Sequence, residues 1–219
     1  MSDPRQAVLD AARRSVVLGL THGTSGNVSS RVEAGFAITP TGIPYDRLLP
    51  SDVVVVDLDG RPAAGERRAP SSEWRMHASV YRARPEIAAI VHGHSVAATA
   101  VACLKRDLPA FHYMIAVAGG DSVRCAPYAT FGTAELADLA VTAMADRWAC
   151  LLANHGLLAA GRSLEHALAV GEEVEFLSSV YLKLFPLGEP ALLAAAAMGE
   201  VISRFERYGQ QPSHSGTPT

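Results

Sequence analysis

Hydrophobic and polar positions along this chain follow two periods. Val8, Ala11, Ala12 and Val16 recur at helical spacing, which predicts a first helix over 7–20 with Gly19 and Gly23 flanking its end. Residues 21–30 are rich in Gly, Ser, Thr and Asn and read as a loop or a strand entrance. Strands are expected over 36–39 and over the β-branched 53–58, which ends at the turn signal Asp59-Gly60, and 66–70 is polar loop. Ser71 or Ser72 is placed to cap a helix over 73–83, which Pro85 stops. The pattern then reads as strand over 87–91, helix over 96–104 and helix over 133–146. Two strands, 150–153 and 157–160, flank His155-Gly156. A long helix runs from a Ser163 cap to about 185, ended by Pro186, and a last helix opens at Pro190 and reaches about 208. The Gly/Ser/Pro-rich 210–219 is expected to be a disordered tail. Strands and helices mix without a regular βαβ rhythm, and no linker divides them. The expectation is one α/β (α+β layered) domain over 1–209.

Composition narrows the function. With 19 basic and 22 acidic side chains the formal charge is 19 − 22 = −3, and no basic run exists to follow a nucleic-acid backbone. The N-terminus has no apolar signal core, and no apolar stretch approaches a membrane span, so neither a nucleic acid nor a membrane is an expected partner. Cys103, Cys125 and Cys150 are sparse, odd in number and form no CxxC, which fits a reducing cytoplasm.

The strongest chemical signal is His92-Gly93-His94. In a strand, residues i and i+2 leave the same face, so both imidazoles would emerge together, as half of a metal site. Glu73 and His155 could complete a set suited to a divalent cation such as zinc, although spacing alone does not bring them together. His77 lies four residues after Glu73 on the same helix face. It could pair with Glu73 as a ligand; the commoner role of such a histidine is to pack or to orient a neighbour. Three short segments could hold an anion through backbone N–H groups and hydroxyls: Thr24-Ser25-Gly26-Asn27, Thr39-Pro40-Thr41-Gly42 and Ser71-Ser72. Turns and helix caps use the same residue types. Neither a P-loop nor GxGxxG is present, which argues against a nucleotide.

Taken together, several segments resemble the class II aldolase/adducin family. They are Gly-Thr-Ser-Gly-Asn-Val-Ser at 23–29, Ile-Thr-Pro-Thr-Gly-Ile-Pro-Tyr at 38–45, Pro-Ser-Ser-Glu-Trp-Arg at 70–75, Val-His-Gly-His at 91–94, His-Tyr-Met-Ile at 112–115, Ala-Gly-Gly at 118–120, Cys-Ala-Pro-Tyr-Ala-Thr-Phe-Gly-Thr at 125–133 and Asn-His-Gly at 154–156. The resemblance implies a central, mainly antiparallel sheet flanked by helices, and a fourfold-symmetric homotetramer with active sites at subunit interfaces. It implies zinc held by His92, His94 and His155, with Glu73 as an exchangeable ligand that also moves the proton. The phosphate of a ketose 1-phosphate would lie on Gly26, Asn27, Thr41, Gly42, Ser71 and Ser72. Tyr113 of a neighbouring subunit would serve the aldehyde end, and Phe131 and Tyr208 would line its pocket. The implied reaction is reversible cleavage to dihydroxyacetone phosphate and an aldehyde, with L-fuculose 1-phosphate and L-lactaldehyde the expected pair. The same superfamily fold also serves pentulose-phosphate 4-epimerases, phospho-sugar dehydratases and non-catalytic adducin-like modules. Tyr113 favours the aldolase branch, and the retained histidines and Glu73 disfavour a module without chemistry. The small Gly93 between the histidines, Asp121 after Gly-Gly and an unmatched segment after Tyr208 depart from the pattern.

Overall fold

A computed structural model of the chain describes residues 3–205. Its elements in order are α1 (Pro4–Val17), β1 (Asn27–Val32), β2 (Gly35–Ile38), β3 (Val54–Val56), α2 (Trp74–Ala83), β4 (Ala89–Gly93), α3 (Val96–Cys103), β5 (Arg124–Ala126), α4 (Ala134–Ala143), β6 (Ala149–Leu152), β7 (Gly156–Gly161), α5 (Leu164–Leu184) and α6 (Ala195–Phe205). Among the described residues the strands form one seven-stranded sheet in the order β3-β2-β1-β4-β7-β6-β5. Every neighbouring pair is antiparallel except β5 with β6. The mainly antiparallel sheet flanked by helices is therefore as the family resemblance implied.

Period-two alternation sorts the side chains of the sheet into two cores. Ile90 of β4, Cys150 and Leu152 of β6, and Leu158 and Ala160 of β7 pack with Met76, Val80 and Tyr81 of α2 and Leu136 and Ala140 of α4. On the opposite face, Ala149, Leu151, Leu157 and Ala159 pack beneath α3 and α5, and Val28, Ala89 and Val91 pack beneath α1. Each core strand is thus covered on both sides. The polar residues on the α2 side of β1 and β4 are therefore buried and must find partners inside the protein.

Three local expectations change and one is sharpened. β1 begins inside the stretch expected as a loop or a strand entrance, with the polar Asn27 and Ser29 directed into the fold, where α2 supplies their partners. Helix α2 is not capped by Ser71 or Ser72. Its N-cap residue is Glu73, which leaves the Glu73 carboxylate free of capping, while the Ser71 hydroxyl accepts the Glu73 N–H at 3.3 Å. Helix α6 opens at Ala195 rather than Pro190, and β3 is shorter than the β-branched run. Strand β5, three residues long, has too short a pattern to stand out in the sequence. Tyr208 and the 210–219 segment lie outside the described residues.

Candidate metal centre and active-site cleft

The histidines reach one point from two adjacent strands. In the β4–β7 ladder His92 lies opposite Leu158 and Gly93 opposite Leu157, so the end of β4 and the start of β7 are side by side. His155 sits in the tight connection before β7, after Asn154, whose φ of 55° is left-handed. Asn is one of the few side chains that adopt this conformation readily. The glycines here answer close approaches. A Cβ on Gly93 would stand 2.1 Å from the Leu20 carbonyl oxygen, on the far side of the strand from His92. One on Gly156 would stand 2.8 Å from the His94 ring. The small residue between the two histidines is thus required by packing against the chain after α1.

The ligand atoms of His92, His94 and His155 lie within 4.8 Å of one another. His92 Nδ1–H donates to the Leu157 carbonyl at 2.9 Å, which leaves the Nε2 lone pair facing His94 Nε2 at 3.2 Å. The Glu73 carboxylate bridges two of the rings, Oε2 at 3.2 Å from His92 Nε2 and Oε1 at 3.3 Å from His155 Nε2. Tetrahedral zinc with bonds of about 2.0 Å has ligand–ligand edges of about 3.3 Å, so these separations suit a cation of that size. Glu73 Oε1 is buried without a hydrogen-bond partner, a position that a cation would satisfy.

The electrostatics point the same way. Burial opposes ionisation of Glu73, but the nearby His92 and His155 and the Asn27 amide outweigh it and hold the carboxyl below its ordinary range. Burial and the neighbouring His92 push both His94 and His155 down to about 4. Their rings are therefore neutral near pH 7, as metal ligands must be. Burial lowers His92 in the same way, but Glu73 and the Leu157 carbonyl raise it by more.

Next to this cluster lies a cleft of about 310 Å³. Gly26, Asn27, Thr41, Gly42, Ser71 and Ser72 all line it, together with Glu73, His94, His155 and Phe131. Three segments distant in sequence are thereby gathered into one rim that includes the hydroxyl-bearing Thr41, Ser71 and Ser72. Pairing of β1 with β4 places Asn27 opposite His92, and the Ser71 N–H donates to the Thr39 carbonyl at 3.0 Å. The Asn27 side chain donates to Glu73 Oε2 at 3.0 Å and also meets His77. His77 is fully buried with its Nε2 against Asn27 Oδ1, and it is not among the three histidines whose ligand atoms converge. Tyr113 does not line this cleft. It is 51% exposed, beside a groove that includes Met114, Val201 and Phe205. Tyr128 and Asn154 also line the cleft and were not singled out from the sequence, although both fall within the matched segments at 125–133 and 154–156.

This fold and centre define a class. The family profile described as "Class II Aldolase and Adducin N-terminal domain" matches residues 6–182, and the chain belongs to that family. Within it the chain groups with enzymes of the lyase class, the aldolases, whose chemistry depends on a metal. It is 45% identical over 214 residues to a 5-methylthioribulose-1-phosphate/5-deoxyribulose-1-phosphate aldolase of Rhodospirillum rubrum, covering 98% of this chain and 96% of that protein. It is 46% identical over 203 residues to the L-fuculose phosphate aldolase of Escherichia coli K12, covering 92% and 94%. A solved L-fuculose 1-phosphate aldolase superposes with a TM-score of 0.90 at 44% identity, covering 94% of this chain and 97% of that one.

Proposed function

We propose that this protein is a zinc-dependent aldolase that reversibly cleaves a ketose 1-phosphate to dihydroxyacetone phosphate and an aldehyde. The observation that carries the reading is the Glu73 carboxylate, buried and bridging His92 and His155, at the edge of a cleft rimmed by Gly26, Thr41, Gly42, Ser71 and Ser72. A phosphate on that rim would meet hydroxyls and backbone N–H groups, and the sugar carbons next to it would lie over Glu73 and the histidines.

His92, His94 and His155 would hold the cation, with Glu73 as an exchangeable fourth ligand. When bound, zinc supplies Lewis-acid polarisation of the ketose C2 and C3 oxygens. In cleavage, the C4 hydroxyl would pass its proton to the Tyr113 oxygen as the phenolic proton leaves to solvent, the C3–C4 bond breaks, and C4 becomes the aldehyde carbon. The electron pair of that bond stays on C3 and spreads towards the C2 oxygen. Glu73, protonated from solvent once it leaves the cation site, would then deliver that proton to C3, which completes dihydroxyacetone phosphate. Neither Lys105 nor Lys183 lines the cleft, so no amine stands ready for an imine route. Tyr113 is exposed outside the cleft of its own chain, which supports its arrival from a neighbouring copy in a homotetramer. Tyr208 is proposed to join Phe131 at the aldehyde end. The thiols of Cys103, Cys125 and Cys150 are free, which supports a cytoplasmic setting, and among the described residues no helix is long and apolar enough to cross a membrane.

The two kinds of aldolase relative divide the substrate between L-fuculose 1-phosphate and 5-deoxyribulose or 5-methylthioribulose 1-phosphate. All of these share the phosphate and ketone end that Glu73 and the rim would serve. A panel of these ketose phosphates, coupled to detection of dihydroxyacetone phosphate, tests the proposal. Release of that product from at least one member is expected. An epimer or a dehydrated sugar without it would overturn the aldolase reading.

A further inference from the structure

Glu73, His77 and Tyr81 stand at i, i+4 and i+8 and form one stripe along the start and length of α2. Asn27 and Ser29 stand at i and i+2 on the face of β1 turned towards that stripe. Four helical residues rise about 6.0 Å, and two strand residues rise about 6.6 Å, so the two rows stay in step. The result is a ladder of buried polar groups: Tyr81 Oη to Ser29 Oγ at 2.8 Å, Ser29 Oγ to His77 Nδ1 at 2.7 Å, His77 Nε2 to Asn27 Oδ1, and Asn27 Nδ2 to Glu73 Oε2 at 3.0 Å. Asn27, Ser29, His77 and Tyr81 are each at most 2% exposed, so water is shut out of the ladder.

Proton counting gives the ladder one direction. The Glu73 carboxylate only accepts, so the Asn27 amide must turn Nδ2 towards it and Oδ1 towards His77. Oδ1 also only accepts, so His77 must carry its proton on Nε2 and present a bare Nδ1 to Ser29. The Ser29 hydroxyl then donates to Nδ1 and is left to accept from Tyr81. Reversing any one member would leave a buried acceptor facing an acceptor, at a cost of about 1–3 kcal/mol.

We propose that His77 is a positioning residue: through Asn27 it fixes the Glu73 carboxylate at the metal centre, and Ser29 and Tyr81 fix His77. The proposal rests on the assignment of Glu73 as the proton carrier, but the wiring itself can be read without any reaction. Partners that orient metal-site groups from behind typically contribute 10- to 100-fold to activity or metal affinity. His77→Leu removes both ring nitrogens at similar volume. His77→Gln restores an N–H for Asn27 and an acceptor for Ser29.

The test joins two readouts. Selective 15N-histidine NMR of the metal-free protein should show His77 protonated on Nε2 and bare on Nδ1; the opposite tautomer would overturn the wiring. In the zinc-loaded protein, His77→Leu should slow exchange of the C3 proton of dihydroxyacetone phosphate about 10- to 100-fold, mostly in kcat. His77→Gln should stay within about threefold of wild type. Wild-type exchange in His77→Leu, or equal losses in both variants, would reduce His77 to a packing role and overturn the proposal. Should His77→Leu fail to fold, the tautomer and His77→Gln decide: a ten-fold loss in a folded His77→Gln protein counts against it. Absence of exchange in wild type would instead count against the aldolase reading, with the tautomer still judging the ladder.

Discussion

The two ends of the cleft are built in opposite ways. At the metal end, His92 and Asn27 are almost fully buried, Glu73 is 7% exposed, and each polar group has a partner from a different element. In the open part of the lining, Tyr128 and Phe131 are 58% and 62% exposed, and Tyr113 is outside the cleft altogether. A buried, interlocked metal centre suits the ketone part that all ketose 1-phosphates share. An open end suits a part that varies between relatives and that a neighbouring copy would complete. The contrast accounts for relatives that share the phosphate and ketone chemistry while acting on different sugars.

The largest effects should come from disabling the interlocked end. A strong chelator should abolish turnover in a coupled cleavage assay, and added zinc should restore it. Glu73→Gln keeps the shape but removes the base, so cleavage and proton exchange should both fall about 10²- to 10⁴-fold in a folded protein. Near-normal exchange in that variant would break the contrast at its stronger side. Next in size, Ser72→Ala removes a hydroxyl from the rim and should raise KM several-fold with kcat nearly constant, the pattern of lost uniform binding. At the open end, Phe131→Ala should alter the ratio of kcat/KM between fuculose and deoxyribulose phosphates by about fivefold, the lower end of the about 1–3 kcal/mol by which apolar pocket contacts discriminate, because Phe131 is 62% exposed. Equal effects on every ketose would show that Phe131 does not select the aldehyde.

A smaller, independent effect concerns stability. Burial and His92 depress His77 to about 3 from its ordinary value of 6.5. The folded state therefore refuses a proton that the unfolded state takes up below pH 6.5. The contribution is complete above that pH and is lost as pH falls towards 3. His94 and His155, held near 4, act in the same sense, whereas His92, raised by Glu73, acts against them. Denaturant unfolding of the metal-free protein should thus show about 2 kcal/mol lost at His77 between pH 7 and pH 5, and less in His77→Leu.

Much of the interlocked end is visible in the sequence because its parts are chemically rare: two histidines at strand spacing, a glutamate after paired serines, a third histidine before a glycine. The helices are legible from their period, as in α4, and from their caps, as in α5, whose Ser163 side chain accepts the expected N–H bond. β1 is only half legible, as a loop or a strand entrance, because a strand whose inward face carries Asn27 and Ser29 has the composition of a loop. Its burial depends on His77 and Tyr81, about fifty residues away in the chain, and no local pattern announces such partners. Tyr128 was passed over for the same reason, since an exposed aromatic gains meaning only once the cleft is assembled beside it.

The central claim is that the two ends do separable work: Glu73 and the cation site move the proton at C3, and Tyr113 serves the bond being broken. Tyr113→Phe measured in two assays tests this most directly. The account predicts that cleavage of the ketose phosphate falls about 10²-fold or more, while exchange of the dihydroxyacetone phosphate proton stays within about threefold, as expected for an interaction made only with the aldehyde fragment. Equal losses in both assays would contradict it.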